Sequence, residues 1–284
     1  MNVRLMQSPP RIKSYWWKGR PNFGDRLAPL LLAHFGNVIS VWADRDKAQV
    51  ISVGSVLELV PSGWDGYIVG AGKLFQDRPI NLPPRDKILA IRGPLSAAWV
   101  QGSYAIGDPG LLADEMIALP PKEHDLGVLP HWSDRKLARD PRFLLSDPLI
   151  ISPATDPLTV IRQIGSCRQI VTSSLHGMIV ADAFGIPRRF EYTRRLDKEG
   201  GDYKFRDYSA SINAPFEPGR LIEASRSRVE DRKHELSDAY RELGRVIRRT
   251  DGEVTATRKA VPSLFKRRGT VPEPGLGRDA AGSR

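Results

Sequence analysis

The feature that most constrains this chain is the rhythm of its apolar residues. Short apolar runs end in Gly, Ser or Asp and alternate with segments of helical spacing. Parallel sheets carry helices on both faces, so their strands read as brief apolar runs joined by crossover helices. The pattern therefore predicts an α/β protein. Runs at 12–17, 49–53, 66–69, 87–91 and 104–106 are the expected strands of a first series, with helices at 26–35 and 95–100. Pro94 stands at the favoured first position of the second helix. After the proline-containing loop 119–123 a second series begins, with strands expected at 125–129, 149–151, 169–172 and 187–192. Asp156-Pro157 reads as the cap and first turn of a helix to about residue 164, and 175–184 reads as the next helix.

The break near residue 120 divides the chain into an amino-terminal domain, 1–120, and a carboxy-terminal domain, 121–250. Leu236, Tyr240, Leu243 and Ile247 recur at helical spacing and predict a charged amphipathic helix over about 220–249. Residues 251–284 are rich in Gly, Pro and charge, include Lys266-Arg267-Arg268, and are expected to be a basic, disordered tail.

Forty-three Lys and Arg against 33 Asp and Glu leave a formal net charge of +10, which favours anionic partners. One cysteine, Cys167, excludes an internal disulfide or a multi-cysteine metal site. No run approaches the roughly 20 apolar residues of a membrane-spanning helix, and the first residues lack a secretory apolar core. The expectation is a cytoplasmic protein. The histidines and carboxylates show no metal-ligand spacing, so neither a metal nor a cofactor is expected.

Several polar residues follow the expected strands, where open α/β sheets bind ligands. In the run 169–177, Ser173, Ser174, His176 and Gly177 stand between a strand and a helix amino terminus, a place that attracts anions. His176 adds a group titrating near neutrality. Ser173 or Ser174 equally suits a helix cap, and His176 a satisfied buried histidine. Asn22-Phe23-Gly24-Asp25 precedes a helix, so Asp25 either orients or deprotonates a sugar hydroxyl or caps the helix, and Gly24 permits close approach of a ligand. Gly72, in Gly70-Ala71-Gly72-Lys73, belongs to a loose glycine-rich loop without the spacing of a phosphate loop. Arg92 is expected to project into the crevice and pair with a carboxylate or phosphate. Asp108 binds a sugar hydroxyl or starts a turn. His131-Trp132 offers an imidazole beside a ring face, or a packed Trp with a partly exposed His. Lys204, in Lys204-Phe205-Arg206-Asp207-Tyr208, reads as a loop cation that grips an acidic ligand or belongs to a solvated surface.

In order, Asn22-Phe23-Gly24-Asp25, Arg92-Gly93-Pro94-Leu95-Ser96, Gly107-Asp108-Pro109, Gly127-Val128-Leu129-Pro130-His131 and Ser174-Leu175-His176-Gly177 resemble the polysaccharide pyruvyltransferase family. The resemblance covers about residues 12–215 and is strongest to the exopolysaccharide, succinoglycan- and xanthan-type branch. It implies two Rossmann-like domains in a GT-B-like arrangement, with phosphoenolpyruvate as donor in the interdomain cleft. It also implies a saccharide acceptor, free or lipid-linked. Arg92 and His176 match the family's arginine and histidine. Ser174 stands where the family can carry arginine, so either Ser174 and the helix amides suffice at the phosphate site or another group, Lys204 or Arg206, replaces the missing cation. The mechanism expected from these residues has His176 as acid, Arg92 as anion clamp, and Asp25 or Asp108 positioning hydroxyls.

A glycosyltransferase using a nucleotide sugar is the alternative on the same architecture. A nucleic-acid partner is not expected, because no helix-turn-helix, zinc-finger or RNA-recognition signature is present. The basic tail is instead an expected contact to anionic lipid at the inner face of the membrane.

Overall fold

The computed structural model describes residues 8–193 and 200–260, with side chains described through residue 250. The sole cysteine, Cys167, is free and buried. Alternating apolar runs become two sheets. The first has six strands, β1 (Arg11–Tyr15), β2 (Ile39–Trp42), β3 (Val50–Ile51), β4 (Tyr67–Val69), β5 (Ile88–Ile91) and β6 (Ala105–Ile106). They lie in the order β2-β1-β3-β4-β5-β6, and every pairing is parallel. The second contains β7 (His124–Leu129), β8 (Leu149–Ile150), β9 (Cys167–Thr172), β10 (Arg188–Phe190) and β11 (Leu221–Ile222), in the order β11-β10-β9-β7-β8. Only β11 runs antiparallel.

The helices are α1 (Leu27–Gly36), α2 (Pro94–Ala97), α3 (Pro141–Leu144), α4 (Pro157–Gly165), α5 (Leu175–Ala183), α6 (Tyr203–Ser211) and α7 (Arg226–Ala260). α4 starts where its sequence dictates: Asp156 accepts from the Thr159 N–H at 3.2 Å, Pro157 opens the first turn, and Val160, Ile161 and Ile164 are buried. α1 ends at Asn37, whose left-handed φ of 50° lets its N–H bond back to the Leu32 carbonyl. All nine residues of α5 are buried, so this helix sits inside the protein and not on a surface.

Both faces of both sheets are covered. One apolar cluster runs from Ile12, Leu27 and Leu31 through Leu111 and Leu112 to Ile170, Met178 and Leu236. A second, with Ile51, Leu57, Ile68 and Ile91, fills the other side of the first sheet, and Val128, Leu137, Phe143 and Val171 form a third. Covered parallel sheets explain why the strands read as continuous apolar runs.

The structure departs from the expectation at three places. β2 and β11 are additional strands, short enough to escape a periodicity reading. The segment carrying Lys204 is a helix, not a loop, and Lys204, Phe205, Asp207 and Tyr208 are buried. Its charges mislead because Asp207 is neutralised inside the protein, while Phe205 stacks on Phe216 with ring centroids 5.4 Å apart. The last helix begins at Arg226 and continues to Ala260, into the stretch expected as tail. The compact body ends at Arg248, and the helix beyond it belongs to a second unit. Lys266-Arg267-Arg268 lies outside the described residues. No helix among the described residues is long and apolar enough to cross a membrane.

Candidate active site

Because both sheets are predominantly parallel, the loops after their strands gather at the strands' carboxyl ends, the usual ligand side of such sheets. There a cavity of ≈ 390 Å³ opens between the loop after β1, the loop after β3, the loop after β7 and the start of α5. Trp17, Asn22, Asp25, Ser55, His131, Trp132, Ser174, His176 and Lys204 line it, together with Glu58 and Arg78. Six of the twelve expected site residues, Asn22, Asp25, His131, Ser174, His176 and Lys204, thus line one space, and a seventh, Gly24, is tied to them by the bond from its N–H to the Asn22 side chain.

Asp25 is held by the side chain of Asn22, which also braces the loop. Asn22 donates its side-chain N–H to Asp25 Oδ2 at 2.8 Å, and the Oδ1 of the same side chain accepts the Gly24 N–H at 3.3 Å. The loop is tied to the second half of the chain by the Phe23 N–H, which bonds the Pro153 carbonyl at 2.8 Å. Burial pushes the Asp25 carboxyl up to about 6, against the Asn22 hydrogen bond and the Lys204 charge. It therefore exchanges a proton within the neutral range.

His176 stands on the first turn of α5, behind the cap made by Ser174, whose Oγ accepts the Gly177 N–H at 3.4 Å. Gly177 is required there, since a β-carbon would lie 2.3 Å from Thr172 Oγ1. The His176 ring rests edge-on against Phe23, and its Nε2 is buried with no hydrogen-bond partner. Burial, reinforced by Arg92, Lys204 and His131, drives its pKa down to about 3. The imidazole is neutral at physiological pH and aims an unpartnered nitrogen inward.

Asp108 lies behind this pair, fully buried, with Oδ1 accepting the Gly110 N–H at 2.9 Å and Oδ2 unpartnered. Burial raises it to about 6 as well. It does not line the cavity. His131 and Trp132 follow β7, and Trp132 stands 5.9 Å from Trp17 between ring centroids. Ser173 accepts the His131 N–H at 2.8 Å, so its hydroxyl sets the loop rather than meeting a ligand directly.

Two expectations change. Arg92 does not project into the crevice. It is fully enclosed, its guanidinium bonded to Asp207 at 2.9 Å, to Ser55 Oγ at 2.6 Å and to the Lys73 carbonyl at 2.5 Å. A cation buried to this degree must be paired, and Asp207 from α6 provides the pair. Arg92 reaches the cavity only through Ser55, which does line it. Gly72 is likewise explained by packing: its N–H bonds the Gly54 carbonyl at 3.0 Å, and a β-carbon there would meet the Arg92 guanidinium carbon at 2.3 Å.

The sequence reading missed Trp17, Ser55, Glu58 and Arg78. Glu58 accepts the Leu74 N–H and the Phe75 N–H, each at 2.9 Å, and so fixes the loop that brings Arg78 to the cavity. Phe75 and Arg78 pack together, with the guanidinium 3.5 Å from the ring centroid. The same aromatic-beside-cation signal drew attention to Lys204 and was available here. Of the two cations considered as replacements for the family arginine, Lys204 lines the cavity, while Arg206 is exposed and pairs with Asp202 at 3.1 Å. Among the described residues no group of His, Cys, Asp and Glu is placed to hold a metal ion.

Residues 81–190 match the family model described as polysaccharide pyruvyl transferase. That span contains four of the five segments on which the resemblance rested. The chain is 28% identical over 229 residues to the succinoglycan biosynthesis protein ExoV of Rhizobium meliloti, covering 76% of this chain and 70% of the relative. It is 32% identical over 173 residues to an uncharacterized protein of Acanthamoeba polyphaga mimivirus, covering 55% of this chain and 57% of that one. Among solved structures it is similar to the wall teichoic acid polymerase TagF, with 10% identity, a TM-score of 0.43, and 88% of this chain and 90% of that chain covered. The family match and the similarity to ExoV bear out the resemblance read from the sequence: over residues 81–190 this α/β chain is similar to the polysaccharide pyruvyl transferases.

Proposed function

We propose that the protein transfers a pyruvyl group from phosphoenolpyruvate to two hydroxyls of a saccharide in exopolysaccharide synthesis, forming a ketal. The observation that carries this reading is the convergence on one cavity of a carboxyl poised near neutrality, a neutral buried imidazole, two cations and an aromatic wall.

The reaction needs each of these. C3 of the donor gains a proton, C2 bonds in turn to two hydroxyl oxygens, and the C2–O bond to phosphate breaks. The two hydroxyls release two protons, one ending on C3 and one on phosphate, so the balance closes without an external oxidant, reductant or metal. Asp25, on the cavity wall near its pKa, accepts a hydroxyl proton and returns it. Lys204 and Arg78, with the positive end of α5 at Ser174, hold the donor's carboxylate and phosphate. His176 enters neutral, and a phosphate beside Nε2 raises its basicity, so it is loaded with a proton only when the donor is present. It then delivers that proton to the departing phosphate. Trp17 and Trp132 offer ring faces to the sugar. Arg92 serves as a positioning residue through Ser55, and Asp108 as a buried neighbour of the acid–base pair.

The test is release of inorganic phosphate from phosphoenolpyruvate by purified protein given lipid-linked or synthetic oligosaccharides, with mass analysis of the acceptor. Acceptor-dependent release with a pyruvate-sized mass gain is expected. Inactivity there with turnover of a nucleotide sugar would replace this reading with a glycosyltransferase.

A further inference from the structure

Trp17 has a second side. Beyond the cavity it helps to line a neighbouring groove, formed with Tyr15 from the end of β1, Trp42 from the end of β2, and the turn Asp44, Arg45 and Asp46. None of the chemistry above uses this groove. We infer that it is a second saccharide subsite, which holds the sugar next to the one being modified, with Trp17 as the wall common to both.

Three observations select a neutral polyhydroxylated ligand. Three aromatic side chains supply ring faces and edges for the apolar C–H surface of a sugar. The charges around them balance, with Lys18 and Arg45 against Asp44 and Asp46, so the groove has no net attraction for a phosphate or diphosphate. Acidic and guanidinium groups side by side are instead acceptors and donors for hydroxyls. The aromatic rings are also held in place before any ligand arrives. Trp42 donates its indole N–H to the Trp16 carbonyl at 3.1 Å and carries the Lys18 ammonium 4.2 Å from its ring centroid. Gly19 lets the chain pass against the Trp17 ring, since a β-carbon there would lie 2.2 Å from it. Rigid aromatic walls lower the entropic cost of binding a flexible oligosaccharide. Asp44, Arg45 and Asp46 are exposed and open to a ligand.

This inference deepens the proposed function, since it names an acceptor of two or more sugars, and its test is a binding measurement that needs no turnover. Saturation-transfer NMR and titration calorimetry would be run on the full chain with defined glucose and galactose oligosaccharides of one to four residues. Affinity is expected to rise from one to two or three residues. Arg45→Ala and Asp46→Ala, exposed positions that leave the core untouched, are expected to weaken the longer ligands about fivefold each while leaving the monosaccharide unchanged. Trp42→Ala, checked for folding by circular dichroism, should do the same. No dependence on length, or equal weakening of short and long ligands in the exposed-residue variants, would overturn the subsite. Length-dependent binding without phosphate release from phosphoenolpyruvate would leave the subsite standing and reject pyruvyl transfer.

Discussion

The imidazole of His176 lies directly over the α-carbon of Gly24: a β-carbon on Gly24 would stand 2.1 Å from its Nδ1. The glycine of the first loop is there to admit the histidine of the second half, not a ligand. Gly24→Ala is therefore expected to displace His176 and to lower turnover by roughly 10²-fold while the chain still folds. Steady-state rates together with a thermal melt check this, and a fully active Gly24→Ala protein would show that the ring position is not needed.

Asp25 makes a prediction in which stability and activity move in opposite directions. Its carboxyl titrates at about 6 in the folded protein against an ordinary value of 3.8. A raised pKa means that the folded state holds its proton more tightly than the unfolded chain, so the associated stability is present below pH 4 and lost as pH rises through 6. Asp25→Asn should then be more stable than the parent at pH 8, by about 1–3 kcal/mol, and equal to it near pH 4. Its turnover should fall by about 10²–10⁴-fold. Urea titrations at the two pH values, beside rate measurements, decide it.

Donor binding should draw protons from solution. His176 is held neutral at about 3, and an incoming phosphate reverses the balance that keeps it so. Calorimetric titration of phosphoenolpyruvate at pH 7 in buffers of different ionisation enthalpy is expected to show proton uptake, and His176→Gln to reduce it. Uptake identical in the two proteins would remove His176 from the proton inventory.

Arg92 and Asp207 form a fully buried pair 115 positions apart in sequence. Asp207→Ala leaves a buried guanidinium without its counter-charge, and a loss of about 3–5 kcal/mol in unfolding free energy is expected. Adding Arg92→Met to that variant should restore part of the loss, because the uncompensated charge goes with it. A double-mutant cycle measures the coupling.

Much of the architecture was legible in the sequence because parallel strands buried on both faces leave an unbroken apolar signature, as at Val50–Ile51 and Ile88–Ile91. The ends of those strands were legible too, which is why Asp25, His131, Ser174 and His176 emerged as neighbours of one cavity. Partner choice was not. Arg92 reads as a free cation in sequence, and only the path of α6, hidden by its own charges, turns it inward. Gly24 and Gly72 read as ligand-facing glycines, yet each yields space to a side chain from a distant segment, a relation with no local trace. Arg78 escaped because it depends on Glu58, twenty positions away, to fix its loop.

The buried link between β5 and α6 also sets how this chain can be recombined. Arg92 belongs to the first half and Asp207 to the second, and Ser96 adds its hydroxyl and its N–H to the same carboxylate at 2.6 and 2.9 Å. A hybrid joined near residue 120 inherits one side of that lock without its key. Fusions meant to exchange acceptor preference between relatives should carry α6 together with residues 92–96 from a single parent, whatever the source of the rest.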